Sequence, residues 1–311
     1  MPQTAENRII VIGGPTASGK SGLALALAKV LDGVVVNADS MQVYQGLGIL
    51  SAAPSAAEKQ EVPHRLYEIF PPEVNGTVVE WLKLAENEIR NIWAEGRIPV
   101  VTGGTGLYLD NLIRGTTPIP EPLPRTREKG LALLAELGAA GMFELLRKID
   151  PASAEVLNAN DATRVRRAWE IMTDTGVSVR EWFKKPLVKK LPEAEFFVVR
   201  LNPAKEDLDR RCYLRFEQML EQGALEETAA LLARGLDPRL PAMKMLGVPE
   251  LAAYLRGETG LEEAKSLAQL HTRQYAKRQR TWFNNRLSAD LEISRFPQKG
   301  DAEELAGKIR R

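Results

Sequence analysis

The sequence predicts an α/β fold: a parallel-sheet core, broken once by an all-helical insertion, with a helical C-terminal region. Three observations carry this. Short β-branched runs alternate with stretches of helical period through the N-terminal third. Two proline-marked hinges then enclose a long stretch with helical spacing and no strand-like run. One more strand pattern, Phe196–Leu201, follows the second hinge, so the sheet resumes after the interruption.

The elements follow in order. Arg8–Ile12 (RIIVI) reads as a buried strand bounded by Gly13 and Gly14. Lys20–Leu31 is rich in Ala and Leu and reads as a helix. Val34–Val36 is a second strand with polar residues directly after it. Val78 to Trp93 carries Val79, Leu82, Ile89 and Trp93 near helical spacing, and Ile98–Thr102 is a third strand stopped by Gly103 and Gly104. Such alternation predicts parallel strands covered on both faces. Prolines at 118, 120, 122 and 124 then favour an extended connector. A helical stretch runs from about Thr126 to Phe183. Pro186 and Pro192 mark the second hinge, Phe196–Leu201 (FFVVRL) is a strand, and helix is expected from there to the end. The expected division is a core of residues 1–117 and 193–311 and an insertion of residues 118–192.

Composition narrows the classes. With 44% hydrophobic residues the chain can build a sizeable core. Lys+Arg 42 against Asp+Glu 41 gives +1, which excludes a uniformly basic nucleic-acid binder. The balance is one of separated patches. Thr163–Lys190 holds eight Lys/Arg against three acids, and His271–Arg286 holds five against none, whereas Glu217–Glu263 holds four against nine. One cysteine, Cys212, and two histidines, His64 and His271, allow neither a disulfide framework nor a Cys/His zinc site. Cys212 is either a packed thiol or half of a Cys–His nucleophile. Met1 to Asn7 is short and polar, and Ile9–Ile12 is too short for a signal peptide or a membrane span, so no membrane association and a cytoplasmic location are expected.

One motif sets the chemistry. Gly14-Pro15-Thr16-Ala17-Ser18-Gly19-Lys20-Ser21 matches G-x-x-x-x-G-K-[ST] between a predicted strand and a predicted helix, which makes the core a P-loop core. The glycines let backbone N–H groups converge on phosphate oxygens, the helix N-terminus adds positive potential, Lys20 adds a point charge, and the Ser21 hydroxyl is a candidate Mg2+ ligand. The loop reads as a diphosphate or triphosphate cradle, with nucleotide or ATP binding its commonest use.

Other loops reach the same sheet edge. Asp39-Ser40-Met41-Gln42-Val43-Tyr44 follows the second strand, where Asp39 is a water-bridged metal ligand, a base on an incoming nucleophile, or a helix N-cap. Gln42 has a donor and an acceptor that suit the edge of a base. Gly103-Gly104-Thr105-Gly106-Leu107-Tyr108 follows the third strand, with the Thr105 hydroxyl in the crevice or capping the next helix. Arg164, Arg166 and Arg167, with Trp169 and Trp182, and Lys277 and Arg278, with Tyr275, Trp282 and Phe283, join cations that neutralise phosphate to aromatics that stack on unpaired bases. Arg211 and Arg215, four apart, face a diphosphate or pair with nearby acids.

Together GPTASGKS, DSMQVY, GGTGLY, Asn160-Asp161-x-x-Arg164-x-x-Arg167 and the TRQYAKRQRTW run resemble the tRNA dimethylallyltransferase family, in its order and spacing, from about Ile9 to Arg286. The resemblance implies transfer of a dimethylallyl group from its diphosphate to N6 of adenosine 37 in tRNAs reading U-initial codons, with Mg2+ and an insertion that grips the anticodon stem-loop. It implies Asp39 as general base, Thr105 at the reactive site, Gly14 to Ser21 as the diphosphate cradle with Thr16 and Lys20 on the leaving group, and Arg215 and Arg211 near the diphosphate. Ser40, Met41 and Gln42 would meet the target adenine and its neighbours, and Arg164, Arg166, Arg167, Lys277 and Arg278 the tRNA. A monomer is expected. Two departures stand out: Pro63-His64-Arg65-Leu66-Tyr67-Glu68 where many members have His-His-Leu-Ile-Asp, and Gly247-Val248-Pro249-Glu250 where they have Gly-Tyr-Lys-Glu. The competing readings are a P-loop small-molecule kinase, a prenyltransferase acting on free adenine nucleotides, and an RNA-binding switch with a regulatory P-loop.

Overall fold

The computed structural model describes residues 7–310. The polar N-terminal stretch read above as lacking a targeting signal lies, apart from Asn7, outside the described residues. The chain divides into two compact units: the described residues up to Ile113 together with those from Lys190 onward, and Arg114–Lys189.

In chain order the first unit contains β1 (Arg8–Gly13), α1 (Lys20–Leu31), β2 (Gly33–Asn37), β3 (His64–Arg65), α2 (Val78–Ala94), β4 (Ile98–Gly103) and α3 (Gly106–Arg114, whose last residue opens the second unit). The second unit holds α4 (Pro124–Ile149), α5 (Ala162–Thr175) and α6 (Val179–Phe183). The first unit resumes with β5 (Glu195–Leu201), α7 (Lys205–Glu221), α8 (Ala224–Leu232), α9 (Val248–Leu255), α10 (Leu261–Arg286), β6 (Leu291–Ile293) and α11 (Asp301–Ile309).

The six strands form one sheet in the order β3-β2-β4-β1-β5-β6, and every neighbouring pair is parallel. Alternation along β1 divides the core. Ile9 and Val11 pack with Trp81, Leu82 and Ile89 of α2 and Phe283 of α10. Ile10 and Ile12 face the other way, onto Leu23 and Leu27 of α1 and Leu305 and Ile309 of α11. Side chains alternate across a strand, so a continuous β-branched run is the signature of a strand buried on both faces. The expectation of helix to the C-terminus fails at Leu291–Ile293, which pairs with Val199–Leu201. β3, two residues long, was also absent from the sequence reading. Runs of two or three residues carry no readable period, and their strand conformation comes from the neighbour they pair with.

In the second unit α4 and α5 pack through Met142, Leu146, Val165, Ala168, Trp169 and Ile171, joined by Val179 of α6. Trp169 is 6% exposed, so this aromatic is core rather than a surface for stacking bases. Antiparallel bonding of Thr116 with Val188 brings the ends of the unit together. Among the described residues no helix is long and apolar enough to cross a membrane.

Candidate functional site

The phosphate loop leaves β1 at Gly13 and enters α1 at Lys20. Gly19 has φ 89°, a left-handed conformation open to glycine at little cost, and α1 begins with no side-chain cap. Its first N–H groups therefore stay available to an anion. Lys20 Nζ donates to the Pro15 carbonyl at 3.2 Å, and burial pulls the Lys20 pKa down to about 8, against the opposing pull of Asp39. Arg215 comes in from α7 and donates from Nη1 to Thr16 Oγ1 at 3.4 Å; burial lowers its pKa too. Neither cation has a carboxylate within ion-pair distance among the described residues. Half-buried cations answered only by a carbonyl and a hydroxyl make a site that favours an anion. Arg211, one turn before Arg215, borders a cavity of about 400 Å3 with Lys20, Ser21 and Gln218, its guanidinium 3.8 Å from the centre of the Phe296 ring. The Ser18 hydroxyl is wholly buried without a partner and lies towards Gly14.

β2 delivers the base candidate. Asn37, fully buried at the strand's end, donates from Nδ2 to the Asp39 and Leu66 carbonyls at 3.1 and 3.0 Å and accepts from the Asp39 N–H at 2.8 Å. Asp39 is thereby fixed, and its carboxylate accepts from Met41 N–H at 3.0 Å and from Gly104 N–H at 3.3 Å. It caps no helix. Thr105 Oγ1 accepts from the Ser40 N–H at 2.8 Å and donates to Ser40 Oγ at 3.1 Å, which ties the two loops side by side. Gly103 is required here, because any Cβ would overlap the Ala38 backbone. Gln42 is buried, and its amide donates to the Ser51 and Ala52 carbonyls at 3.0 and 2.8 Å. Its donors hold the chain, and only its oxygen remains for another partner.

Thr16, Asp39 and Arg215 line one cavity of about 280 Å3. Leu50, Phe216, Met219 and Met245 give it an apolar wall, and Lys244, Tyr275 and Arg278 add polar groups. This combination suits a ligand that is anionic at one end and hydrocarbon at the other. Cys212 also lines it, but the residue is 1% exposed and burial pushes its thiol up to about 11. That makes it the packed thiol of the two readings, since the thiolate is the nucleophile.

Helix α10 has two working faces. Inward, Ala276, Gln279 and Phe283 are buried. Gln279 Oε1 accepts from Thr16 N–H at 2.8 Å and Nε2 donates to the Gly104 carbonyl at 2.7 Å. Outward, Lys277, Arg278, Trp282 and Arg286 border a shallow groove of about 560 Å3, and Arg278 borders both this groove and the cavity of Asp39. In the second unit the arginines of α5 have acidic partners. Arg164 pairs with Asp161 at 2.9 Å, and Arg166 and Arg167 approach Glu170 at 2.5 and 3.8 Å. Glu170 is 2% exposed, and burial raises its pKa.

Asn37 and Gln279 were missed in the sequence. Their signal was a polar residue at a position otherwise reserved for core: the last residue of a buried strand, and an inward position of a helix. Among the described residues no group of three or more His, Cys, Asp or Glu side chains is arranged to hold a metal.

Residues 42–286 match the family model for IPP transferase. A tRNA dimethylallyltransferase of Gluconobacter oxydans is 48% identical over 278 residues, 89% of this chain and 83% of that protein. The full-length tRNA isopentenylpyrophosphate transferase of Bacillus halodurans superposes with a TM-score of 0.69 at 32% identity, covering 97% of this chain and 95% of the other. A eukaryotic dimethylallyltransferase acting on tRNA gives a TM-score of 0.82 at 29% identity over 96% of this chain and 77% of that one. With a phosphate loop, an apolar pocket and a carboxylate gathered at one sheet edge, and with likeness of this extent, the chain belongs to the IPP transferase family of tRNA dimethylallyltransferases.

Proposed function

We propose that this chain transfers the dimethylallyl group of dimethylallyl diphosphate to N6 of adenosine 37 in tRNAs reading U-initial codons. The observation that carries the reading is that Lys20 and Arg215, half-buried cations with no carboxylate within ion-pair distance among the described residues, stand at the phosphate loop, and Arg215 shares a cavity with Asp39 and an apolar wall. The diphosphate answers the cations, and the five-carbon chain answers Leu50, Phe216, Met219 and Met245. One chain supplies all these groups, which fits a monomer.

In this reading the C1–O bond breaks as the N6–C1 bond forms, and diphosphate leaves. Lys20, Arg215 and the loop N–H groups stabilise the charge that develops on the departing oxygens. Asp39 accepts the N6 proton. Adenine N6 is a weak nucleophile, so holding it in line with C1 matters more than basicity. The base leaves the anticodon-loop stack at a cost of about a few kcal/mol. Arg164, Arg166 and Arg167 in the insertion, and Lys277 and Arg278 on α10, are assigned to the tRNA backbone, the insertion gripping the anticodon stem-loop.

Mg2+ fits the donors present. The Ser21 hydroxyl is exposed in the first turn of α1 and borders the cavity of Lys20 and Arg211. A hard cation that keeps its waters and takes phosphate oxygens needs few protein ligands, so the lack of a carboxylate cluster among the described residues is no obstacle. When bound it would neutralise charge on the leaving diphosphate.

The test is to incubate the protein with dimethylallyl diphosphate, Mg2+ and unmodified tRNA, then analyse the digested nucleosides by mass spectrometry. Dimethylallyladenosine confined to position 37 of the U-codon tRNAs is the expected result. Unmodified tRNA, or phosphoryl transfer from ATP to a small acceptor instead, would reject the reading.

A further inference from the structure

Gln279 stands out on α10 because of where it is polar. Its neighbours one turn away on the same face are Ala276 and Phe283, both about 0–1% exposed, and Gln279 itself is 6% exposed. Burying a carboxamide costs free energy unless both its donor and its acceptor are answered. Here they are answered by two different loops. Oε1 takes the Thr16 N–H of the phosphate loop at 2.8 Å, and Nε2 gives to the Gly104 carbonyl at 2.7 Å. A flipped amide would set donor against donor and acceptor against acceptor, so the orientation is fixed by the partners.

Those partners lead directly to the chemistry. Thr16 carries the hydroxyl that Arg215 grips, on the loop that begins α1. Gly104 donates its own N–H to Asp39 Oδ2, and the next residue, Thr105, holds Ser40. The two loops leave adjacent parallel strands, β1 and β4. Strand pairing fixes them at the sheet edge, whereas Gln279 bonds them directly to each other beyond it. The phosphate loop and the loop that holds Asp39 are thus joined beyond the sheet edge by one side chain, which Tyr275 of the same helix also contacts.

We propose that Gln279 is a positioning residue for the transfer: it sets the separation of the phosphate loop from the Asp39–Gly104–Thr105 side of the cavity. The proposal rests on the prenyl-transfer reading given above. It predicts that glutamine is needed for its two-ended amide and not for its size. Methionine has the same length and neither hydrogen bond. Glutamate keeps one acceptor, but as a carboxylate it sets a second acceptor against the Gly104 carbonyl. Only when protonated can it donate there again.

The experiment compares wild type, Gln279→Met and Gln279→Glu in single-turnover transfer at saturating tRNA and dimethylallyl diphosphate, from acidic to alkaline pH, with tRNA affinity measured alongside. Misplacement by an ångström at a reacting centre costs about a hundredfold, and a loss of that order is expected for Gln279→Met, with tRNA affinity within about threefold of wild type by the same reasoning, because the side chain is buried and faces away from the outer groove. The rate of Gln279→Glu relative to wild type should rise as pH falls, while the ratio for Gln279→Met stays flat. A purely structural role would give that contrast only through unfolding of the ionised glutamate variant, so melting curves are taken over the same pH range and the rate ratios are read where each variant is folded. A methionine variant as fast as wild type, or a glutamate ratio independent of pH, would overturn the proposal. The two levels separate cleanly: a wild type that transfers nothing rejects the prenyl-transfer reading, whereas an active wild type with an unimpaired methionine variant rejects Gln279 alone.

Discussion

The two basic helices look alike in sequence and differ in structure. Both α5 and α10 mix arginines with tryptophan, and both suggested a surface for RNA. On α5 the cations are answered close by. Arg164 meets Asp161, Arg166 and Arg167 converge on the buried Glu170, and Trp169 is core. On α10, Arg273, Lys277, Arg278 and Arg286 have no ion-pair partner among the described residues, and Arg280 bonds Asn202. The same composition therefore serves two ends. One helix spends much of its charge in its own unit, and the other holds it available to a polyanion beside the cavity of Asp39. Basic composition marks where charge is, and only the partners show whether it is free.

The strongest test of this contrast is Lys277→Ala with Arg278→Ala. Removing two unpaired cations should weaken tRNA binding by at least about tenfold at low salt and lower the salt slope by about 1.5. Transfer from bound tRNA should continue. An unchanged slope, measured by titration at several salt concentrations, would remove both residues from the RNA contact. Next comes Arg166→Ala, which should act on stability more than on tRNA binding, because Arg166 is paired with Glu170. It leaves the buried Glu170 with the distant Arg167 only, and a loss of about 1–3 kcal/mol in the unfolding of the helical unit is expected. Thermal melts monitored in that unit check it. Arg164→Ala with Arg167→Ala should have a smaller effect on tRNA than the α10 pair, because these arginines are already partly answered by acids, although their salt slope should still fall. If the α5 pair proved the stronger, the contrast drawn here would be reversed.

A subtler test lies at the phosphate loop. The Lys20 pKa falls to about 8 from 10.5 through burial. Above about pH 8 the free protein loses this cation, so kcat/KM for dimethylallyl diphosphate should decline there, and binding above that pH should take up a proton. Calorimetry in two buffers of different ionisation heat measures that uptake. The effect on stability has the opposite sense. Between about 8 and 10.5 the unfolded chain holds a proton that the folded one has released, so the destabilisation from burying Lys20 lessens as pH rises through this window.

Much of the fold was legible because β1, β2 and β4 are buried on both faces and carry β-branched runs, because β5 has Phe196–Val199 as an apolar run, and because the prolines punctuate the chain. β3 and β6 were not legible, since two or three residues have no period and take their conformation from Val35–Val36 and Val199–Leu201. In the candidate site the phosphate loop was legible because its backbone needs glycine at fixed places. Asn37 and Gln279 were not. A buried amide that props a loop is indistinguishable in sequence from one on the surface until its partners, Leu66 and Asp39 in one case, Thr16 and Gly104 in the other, are brought in from distant positions by the fold. Gln42 shows the reverse. Its chemistry suited a base edge, yet its donors turn inward to Ser51 and Ala52.

The central claim is that Asp39 does chemistry on a tRNA held by other residues. The direct measurement is single-turnover prenyl transfer by Asp39→Ala beside its tRNA affinity. Transfer should fall by at least about a hundredfold while affinity stays within about threefold of wild type. An affinity that collapses while bound tRNA is still prenylated at the wild-type rate would contradict it.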